Sequence, residues 1–436
     1  MLATRCHLLA LCAFGLLGCG DDAAAPSRVC GEEGCSAECA ELRGDNCDIL
    51  DDTCRQRIFD AVVCVRGTPG EMPGVRTLTP DEYRAELLDG ADEDAGVDEQ
   101  AAADAWSTGL SLVGLVDPSE STTSAAIDDQ TENVGGYYNA DTRRITLIDR
   151  DRAEDSDEAQ AVLAHELVHA LQDQEMGLYE VSARTGSSTD SRYARSALIE
   201  GEAMLYEDLA VTLLRGLDVD SGYWDVYLDR YLKFARGEVA ISRSPVAALW
   251  RLNYPVGARF VTDAWLDGGN RATQGLYWAP PQSLIYWIHG YASLQERMGQ
   301  LVRPLACNFA AAPSGYELHD SDSLGAYAVY GLLAHTLVDD GIHPIEAAWQ
   351  DALAWRQDSF SVFVSAEASV AVSWRIRVES DGVAERVADQ LRSDASIELK
   401  TIARGSEVEL LAAESAELLD AWDGTAPDAC PSSPDL

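Results

Sequence analysis

The chain has 436 residues, with 74 acidic against 32 basic side chains and a formal net charge of −42 at pH 7. Only two basic residues are lysines, Lys233 and Lys400. This charge excludes a general affinity for nucleic acid and would repel anionic lipid headgroups at close range. The length suits one large domain, or two lobes around a cleft, beside smaller segments.

The N-terminus predicts export. Arg5 precedes an apolar run over residues 8–17 that is too short to span a bilayer and predicts a signal peptide over residues 1–18. The sequence Leu16-Leu17-Gly18-Cys19 resembles a bacterial lipobox, which predicts cleavage before Cys19 and lipid acylation of that residue, with 19–29 as a polar tether. The alternative is an ordinary secretory signal that releases a soluble protein. We therefore expect an exported bacterial protein, lipid-anchored at the cell envelope on the periplasmic or outer surface.

Cysteines crowd into a short segment after the tether. Of the eleven in the chain, three fall in the signal and lipobox, which leaves an even number. Residues 30–67 are too few and too polar to hold together by burial alone, and their six cysteines predict a module stapled by three disulfides. About 15 pairings are possible and the sequence selects none. A zinc cluster is the rival interpretation, but paired Cys-x-x-Cys elements are absent. Cys307 and Cys430 are candidates for a fourth bridge.

Residues 68–80 are predicted to be a linker, and residues 81–436 the main domain. Two runs of strand-forming residues, 134–138 and 144–148, flank Asn139-Ala140-Asp141-Thr142 and predict a β-hairpin. We expect its first strand to lie at a sheet edge. Such a strand could align an extended peptide by backbone pairing.

The sequence His165-Glu166-Leu167-Val168-His169 carries the strongest chemical signal. On a helix, side chains four residues apart project from one face, so both imidazoles can reach one metal ion about 2 Å away. Glu166 then lies beside the open coordination position, where it can take a proton from a metal-bound water. Apolar neighbours and Gly177 predict a helix that ends near residue 177. The alternative is two histidines buried as core filler, which would each need a partner.

A catalytic zinc site takes three protein ligands, so another must come from elsewhere in the chain. Residues 191–215 predict a second amphipathic helix that contains Glu200, Gly201 and Glu202. Glu200 is the favoured ligand. Glu202 remains the alternative, because the two carboxylates lie about 200° apart around a helix and cannot both face one metal. Glycine costs a helix about 1 kcal/mol relative to alanine, so Gly201 predicts close packing on the helix of the motif.

The remainder of the chain is mostly helical in pattern. Helical spacing recurs over residues 213–232, 256–266, 324–338 and 345–355, and late strands are predicted at 360–364 and 370–378. We therefore predict an α+β fold in which helix predominates.

Beyond the motif, the chain resembles the gluzincin-type zinc metallopeptidases, and in particular a sparsely characterised group of bacterial secreted or lipoprotein members. The resemblance is strongest at the motif and covers roughly residues 130–390. The segments that carry it are residues 165–174, 199–203, 135–139, 254–257, 280–283, 354–358 and 372–375.

The resemblance implies a zincin-like fold for residues 81–436, with zinc as cofactor. It implies His165, His169 and Glu200 as metal ligands and Glu166 as the catalytic base.

Two positions depart from the family. Met204 stands where some gluzincins place an aspartate that orients a ligand histidine, and Asp173 or Glu207 are the candidates to replace it. The segment 284–289 is less polar than the family's usual form, which weakens the case for His289 as the donor to the developing oxyanion. The further candidates for that donor are Tyr254, Tyr291, Tyr327, Tyr330 and His335, although Tyr327 and Tyr330 have the spacing of core residues.

The sequence thus predicts a zinc-dependent hydrolase that cleaves peptide bonds of a peptide or protein substrate outside the cytoplasm, with Glu166 activating the metal-bound water. The first alternative is a catalytically inactive zincin-like protein with a binding or structural role at the envelope. An intact Glu166 opposes it, since a structural zinc needs no base between its histidines. The second is a zinc hydrolase of another amide, such as a cell-wall peptide. No nucleic acid and no partner protein is predicted.

Overall fold

A computed structural model describes residues 37–93, 97–150, 156–178, 180–181, 186–217, 221–293, 311–335, 344–393 and 399–422. Within these ranges the protein is an α+β fold in which helix predominates, which confirms the predicted class. The zincin-like assignment stays a prediction. The predicted signal peptide and tether lie outside the described residues, as do Cys19, Cys30, Cys35, Cys307 and Cys430.

Two disulfides staple the first described segment, which contains α1 (Ala37–Ala40) and α2 (Asp52–Arg66). They join Cys39 to Cys64 and Cys47 to Cys54. Disulfide bonding in the cysteine-rich segment is thereby confirmed, with two of the pairings that the sequence left open. Such bonds persist in an oxidising environment.

A three-stranded sheet follows. β1 (Gly74–Leu78) falls inside the predicted linker and leads into three helices. These are α3 (Pro80–Glu93), α4 (Val97–Leu112) and α5 (Thr122–Asn133).

The predicted hairpin is present as β2 (Gly136–Asn139) and β3 (Arg144–Ile148), paired antiparallel. Its turn is held by the Asn139 side chain, which accepts a hydrogen bond from the Thr142 amide at 2.8 Å. β1 pairs parallel with β3, so the strand order is β1-β3-β2. β2 is therefore an edge strand, as predicted.

The helix of the motif is α6 (Asp157–Met176). Ser156 caps its start by accepting a hydrogen bond from the Ala159 amide, and Gly177 ends it in a conformation with φ of 65°. The predicted end at Gly177 is confirmed.

The second helix is α7 (Thr189–Arg215), capped by Ser188. Gly216 ends it in the left-handed conformation (φ 62°) and donates its N–H to Leu213 and Thr212 carbonyls. This cap interrupts the predicted helical run over 213–232, so that prediction is wrong. The next helix, α8 (Ser221–Ile241), begins afresh.

The disulfide-bonded segment shares its core with these helices. α2 packs against α6 and α7, and Ile58 and Val62 on α2 are fully buried in the same apolar cluster as Leu163 on α6 and Leu198 on α7. The boundary between the cysteine-rich module and the main domain stays a prediction. In the fold itself, α2 is part of the same layer of packed helices as α6 and α7, which we call the helical layer.

Four further elements complete that layer. They are α9 (Pro245–Ala248), a 3₁₀ turn (Leu249–Leu252), α10 (Asn253–Trp278) and α11 (Leu284–Ile288). The predicted helix 256–266 lies within α10, which kinks at Gly268 and Gly269.

The C-terminal part forms an antiparallel sheet with strand order β4-β5-β6-β8-β7. The predicted helices 324–338 and 345–355 correspond to α12 (Gly325–His335) and α13 (Pro344–Leu353), and both predicted strands are present. The elements are β4 (Tyr316–Asp322), α12 (Gly325–His335), α13 (Pro344–Leu353), β5 (Trp355–Ser365), β6 (Val370–Val378), α14 (Asp381–Ser393), β7 (Lys400–Arg404), β8 (Glu407–Ala413) and α15 (Ala416–Ala421).

Trp355 on β5 and Trp374 on β6 are buried in the core beneath this sheet. In the part of the chain that the structure describes, no helix is both long enough and apolar enough to cross a membrane.

Candidate metal centre

His165 and His169 lie one turn apart on α6, as their spacing predicted. They are 7% and 8% exposed, and their ring centroids are 4.7 Å apart. Both rings face α7, so the motif presents two imidazoles to a single point between two helices.

Glu200 on α7 reaches the same point. Its Oε2 lies 3.1 Å from His165 Nε2 and 3.4 Å from His169 Nε2. Ligand atoms about 2.0 Å from a tetrahedral zinc are about 3.3 Å from one another, so these spacings fit one. The structure thus unites the three residues proposed as ligands, and this group could hold a metal ion.

A glycine contact sets the position of Glu200. A Cβ atom on Gly201 would lie 2.2 Å from the carbonyl carbon of Gly257, and one on Gly257 would lie 1.9 Å from the Ala197 carbonyl oxygen. Only glycine at both positions allows α7 and α10 to cross this closely. The close approach expected at Gly201 exists, but its partner is α10, so the predicted packing on α6 is wrong at this residue. The crossing also brings Tyr254, on the first turn of α10, beside Glu200.

The other ring nitrogen of each histidine has its own partner. His165 Nδ1 lies 3.0 Å from Glu207 Oε2, and His169 Nδ1 lies 2.8 Å from Gln172 Oε1. An acceptor at Nδ1 holds the proton there and leaves Nε2 free to bind a metal. Of the two carboxylates proposed for this role, Glu207 fills it. Asp173 instead accepts a hydrogen bond from the Tyr138 hydroxyl.

Gln172 was not identified from the sequence. It lies three residues after His169, on the same face of α6, and is fully buried among apolar neighbours. A polar residue at that spacing inside an apolar stripe was the available signal.

The three groups form a charge-coupled cluster. Burial lowers the pKa of His165, but hydrogen bonds to Glu200 and Glu207 outweigh it and place that pKa well above its usual value. The pKa of His169 is also raised, because Glu200 outweighs burial. Burial raises the pKa of Glu200, yet the attraction of His169 and the hydrogen bond with His165 bring it below its usual value. A metal cation would compete with the protons that these groups share.

Glu166 stands beside the cluster with one oxygen unused. The residue is 5% exposed, and its buried Oε2 has no hydrogen-bond partner among the described residues. The Tyr138 amide on β2 donates to its carboxylate. Burial raises the pKa of Glu166 more than the two histidines lower it. A carboxylate with a raised pKa and a free oxygen is suited to accept a proton.

Tyr254 contacts two of the three residues of the group. Its ring stacks on His165 with centroids 5.8 Å apart, and its hydroxyl hydrogen-bonds to Glu200. Burial, and after it the charge of Glu200, raises the pKa of Tyr254 well above its usual value, so the hydroxyl remains a proton donor at neutral pH.

The other residues proposed as oxyanion donors have different surroundings. Tyr327 and Tyr330 are core residues, as their spacing indicated. His289 pairs with the Leu353 carbonyl, Tyr291 packs edge-on against Phe260, Tyr327 donates to the Leu252 carbonyl, Tyr330 donates to the Arg236 carbonyl and His335 ends α12.

A cavity of about 250 Å³ opens beside His165 and Glu166. Gly135 and Gly136 of the hairpin segment form one wall. Arg251 also lines the cavity, but it is ion-paired with Asp129 and Glu238. Five further lining residues are aromatic: Tyr227, Tyr231, Phe234, Trp250 and Tyr254.

Glu202, the alternative ligand, points away from the metal group. It is 1% exposed and pairs with Arg66 of α2, with Oε1 3.0 Å from Nε. The helical offset that separates Glu200 from Glu202 therefore places only Glu200 at the metal group.

Comparisons of the chain with protein-family models, with curated proteins and with solved structures returned no match. The functional argument therefore rests on the geometry of the site itself.

Proposed function

We propose that this protein is a zinc-dependent hydrolase that cleaves peptide bonds outside the cytoplasm. The observation that carries the proposal is the convergence of His165, His169 and Glu200 next to a buried Glu166 with an unpartnered oxygen. A site built only to bind a metal for structure has no use for that free carboxylate oxygen.

The donor set favours zinc. Two imidazole nitrogens and one carboxylate oxygen leave a fourth position open, which is typical of catalytic rather than structural zinc. Calcium and magnesium prefer sites made of oxygen alone. Partners on both Nδ1 atoms support this choice, because they hold the imidazoles in the tautomer that binds a metal.

The chain's own groups divide the remaining work. When bound, zinc supplies a Lewis acid that acidifies water and polarises the substrate carbonyl. Glu166 takes the proton from the attacking water through its free oxygen and passes it to the leaving amine. Tyr254 donates its hydroxyl hydrogen to the oxygen that becomes negative as the carbonyl is attacked.

An extended peptide substrate would pair with the edge strand β2. The Ile148 amide donates to the Gly135 carbonyl, so alternate peptide groups of this segment face β3 and those between face outward. The Tyr138 amide is one of the outward groups and reaches Glu166. A substrate strand paired along Gly136 would therefore lie next to the base, with one side chain in the aromatic cavity.

For location, the proposal keeps the sequence prediction of a bacterial envelope protein with a lipid on Cys19. The disulfides at Cys39–Cys64 and Cys47–Cys54 agree with an oxidising compartment.

The test compares the exported full chain with Glu166→Gln, using metal analysis and cleavage of an unstructured protein with and without chelator. We expect one zinc per chain in both proteins and a fall in kcat of about 10²–10⁴-fold in the variant. Glu367→Gln, an exposed residue in the β5–β6 turn, is the matched control and should keep full activity. Zinc in both proteins with equal, chelator-insensitive cleavage would contradict the proposal and favour the binding or structural alternative.

A further inference from the structure

The two histidines are oriented by chemically different partners. An ionised carboxylate such as Glu207 has hydrogen-bond acceptors only, whereas the Gln172 amide carries both an acceptor and a donor. If the Gln172 amide were reversed, its NH₂ would face His169 Nδ1. The imidazole would then carry its proton on Nε2, where it blocks metal binding. Something must therefore hold the amide of Gln172 in one orientation.

Three acceptors fix that orientation. Gln172 Nε2 lies 3.0 Å from the Ile199 carbonyl oxygen, 2.9 Å from Glu202 Oε2 and 3.0 Å from the Tyr277 hydroxyl oxygen. The Tyr277 hydroxyl gives its hydrogen to Glu202, so all three groups attract the NH₂ end of the amide and direct its oxygen towards His169. The carbonyl is part of the α7 backbone, but the carboxylate belongs to a side chain that other groups must hold in place.

Arg66 holds Glu202 in place. Both side chains are 1% exposed, and Arg66 Nε lies 3.0 Å from Glu202 Oε1. The guanidinium also pairs with Glu175 at 2.8 Å, and the Tyr277 hydroxyl donates to Glu202 Oε2 at 2.5 Å. These contacts offset the cost of burying the carboxylate and fix its position.

Arg66 comes from outside the helices that carry the ligands. It lies at the C-terminal end of α2, two residues after Cys64, whose disulfide to Cys39 ties α2 down. The contact between Arg66 and Glu202 spans 136 positions of sequence.

We propose that Arg66 and Glu202 are positioning residues for the metal ligand His169, acting through the orientation of the Gln172 amide. The disulfide-bonded segment then supplies part of the metal site, rather than serving only as a spacer. This inference rests on the proposed metal site but assigns a role that the hydrolysis mechanism does not require.

A buried ion pair could also simply join α2 to α7, so the test must separate zinc affinity from folding. Arg66→Met alone leaves a buried carboxylate uncompensated and is expected to impair folding. Arg66→Met/Glu202→Met removes both charges and is expected to fold, because apolar residues of similar size commonly replace buried pairs. It leaves Gln172 without its carboxylate acceptor.

Zinc affinity of the full chain is measured by competition with a chromophoric chelator, and thermal unfolding is measured on the metal-free proteins. We expect the dissociation constant of Arg66→Met/Glu202→Met to rise about 10–100-fold, the range for partners that orient metal ligands. Arg66→Met/Glu202→Gln also removes both charges but restores an acceptor oxygen, and should bind zinc more tightly than the double methionine variant.

The matched control is Arg375→Met/Glu409→Met in the five-stranded sheet, where another ion pair with little solvent exposure joins β6 to β8 at 3.2 Å. It should change unfolding without changing zinc affinity. Wild-type zinc affinity in Arg66→Met/Glu202→Met would overturn the inference while leaving the proposed function intact, as would equal weakening in the Gln and Met variants. Absence of zinc binding in the wild-type chain would instead refute the proposed function, on which the inference depends.

Discussion

Two buried carboxylates, one in each half of the molecule, show how structural and functional charge differ. Asp358 on β5 is 4% exposed and accepts four hydrogen bonds, from the Ser323 hydroxyl, the Leu324 and Gly325 amides and the Trp374 indole. Glu166 on α6 is 5% exposed and keeps one oxygen without a partner. The two carboxylates are about equally buried, but only Asp358 has hydrogen-bond partners on both of its oxygens.

The difference identifies where chemistry is possible. A carboxylate that is fully hydrogen-bonded joins elements together, and Asp358 joins β5 to the start of α12 and to β6. A carboxylate with an unused oxygen retains the desolvation cost of its burial without full compensation. In the helical layer that cost falls next to the three atoms of the candidate metal group, and the proposed catalytic role of Glu166 would account for it.

The largest expected effect comes from removing a metal ligand. Glu200→Ala should lower zinc affinity by more than the roughly 100-fold upper range of residues that only contact a ligand, and abolish cleavage with it. The measurement is zinc competition with a chromophoric chelator. Glu202→Ala is the companion variant and should bind zinc better than Glu200→Ala. The reverse order would mean that the wrong carboxylate has been assigned as ligand.

Tyr254→Phe tests the hydroxyl group proposed to stabilise the developing oxyanion. The variant keeps the ring that stacks on His165 but loses the hydroxyl, so kcat should fall about 10²–10³-fold with zinc content unchanged. Steady-state kinetics measure the fall in kcat, and metal analysis measures the zinc content. Tyr327→Phe, in the core, is the control and should affect stability rather than kcat. A normal kcat in Tyr254→Phe would remove this residue from the mechanism.

Asp358→Asn replaces one acceptor oxygen of the fully hydrogen-bonded carboxylate with an NH₂ group. Its NH₂ group would face donors, leaving some of them without an acceptor, and the free energy of unfolding should fall by about 2 kcal/mol. Denaturant unfolding measures this loss. Zinc affinity should stay at the wild-type level, since Asp358 contacts no residue of the metal centre. A weakened zinc site would contradict the division between the two regions.

Asp190 sharpens the comparison, because it shows that a shifted pKa alone does not mark a catalytic group. Burial, opposed by the hydrogen bonds from Ser283 and Leu284, raises its pKa from 3.8 to about 7. The folded state thus holds this proton more tightly than the unfolded chain. The contribution of Asp190 to the free energy of unfolding is fully present below pH 3.8. It declines as the pH rises from there through 7, by at most about 1.4 kcal/mol per pH unit.

Asp190→Asn should remove that decline, because asparagine does not ionise and keeps an acceptor for the Leu284 amide. Thermal unfolding at pH 5 and pH 8 should show a smaller difference in the variant than in the wild type. Identical pH profiles would show that Asp190 ionises normally. Cleavage activity measured at one pH should not change with this substitution, in contrast to Glu166→Gln.

Much of the local structure followed from sequence patterns. Gly177 ends the motif helix, and Asn139 starts the turn of the hairpin, because helix ends and turns depend on residues within a few positions. Strand β6 was found at its observed bounds, since strand-forming residues are dense there. The helical run over 213–232 failed because periodicity continued across Gly216, where a left-handed cap ends the helix.

Contacts between distant segments were much harder to predict. Gly201 indicated a close approach, but nothing local distinguished α10 from α6 as the partner. Gln172 was not identified because its role depends on groups of α7 that contact its amide, the Ile199 carbonyl and the Glu202 carboxylate. Tyr254 was one of several candidate donors, and nothing local to it in the sequence indicated that the crossing of α7 and α10 stacks it on His165.

By itself, the sequence determined that His165 and His169 share a helix face with Glu166 beside them, since helical geometry relates residues one turn apart. It also restricted the remaining ligand to one of two carboxylates on opposite sides of a second helix. Only the tertiary structure decided between them, because the rotation of α7 is set by its packing on α6 and α10. The same packing turned Glu202 towards Arg66, 136 residues earlier in the chain, at a distance over which sequence pattern carries no geometric information.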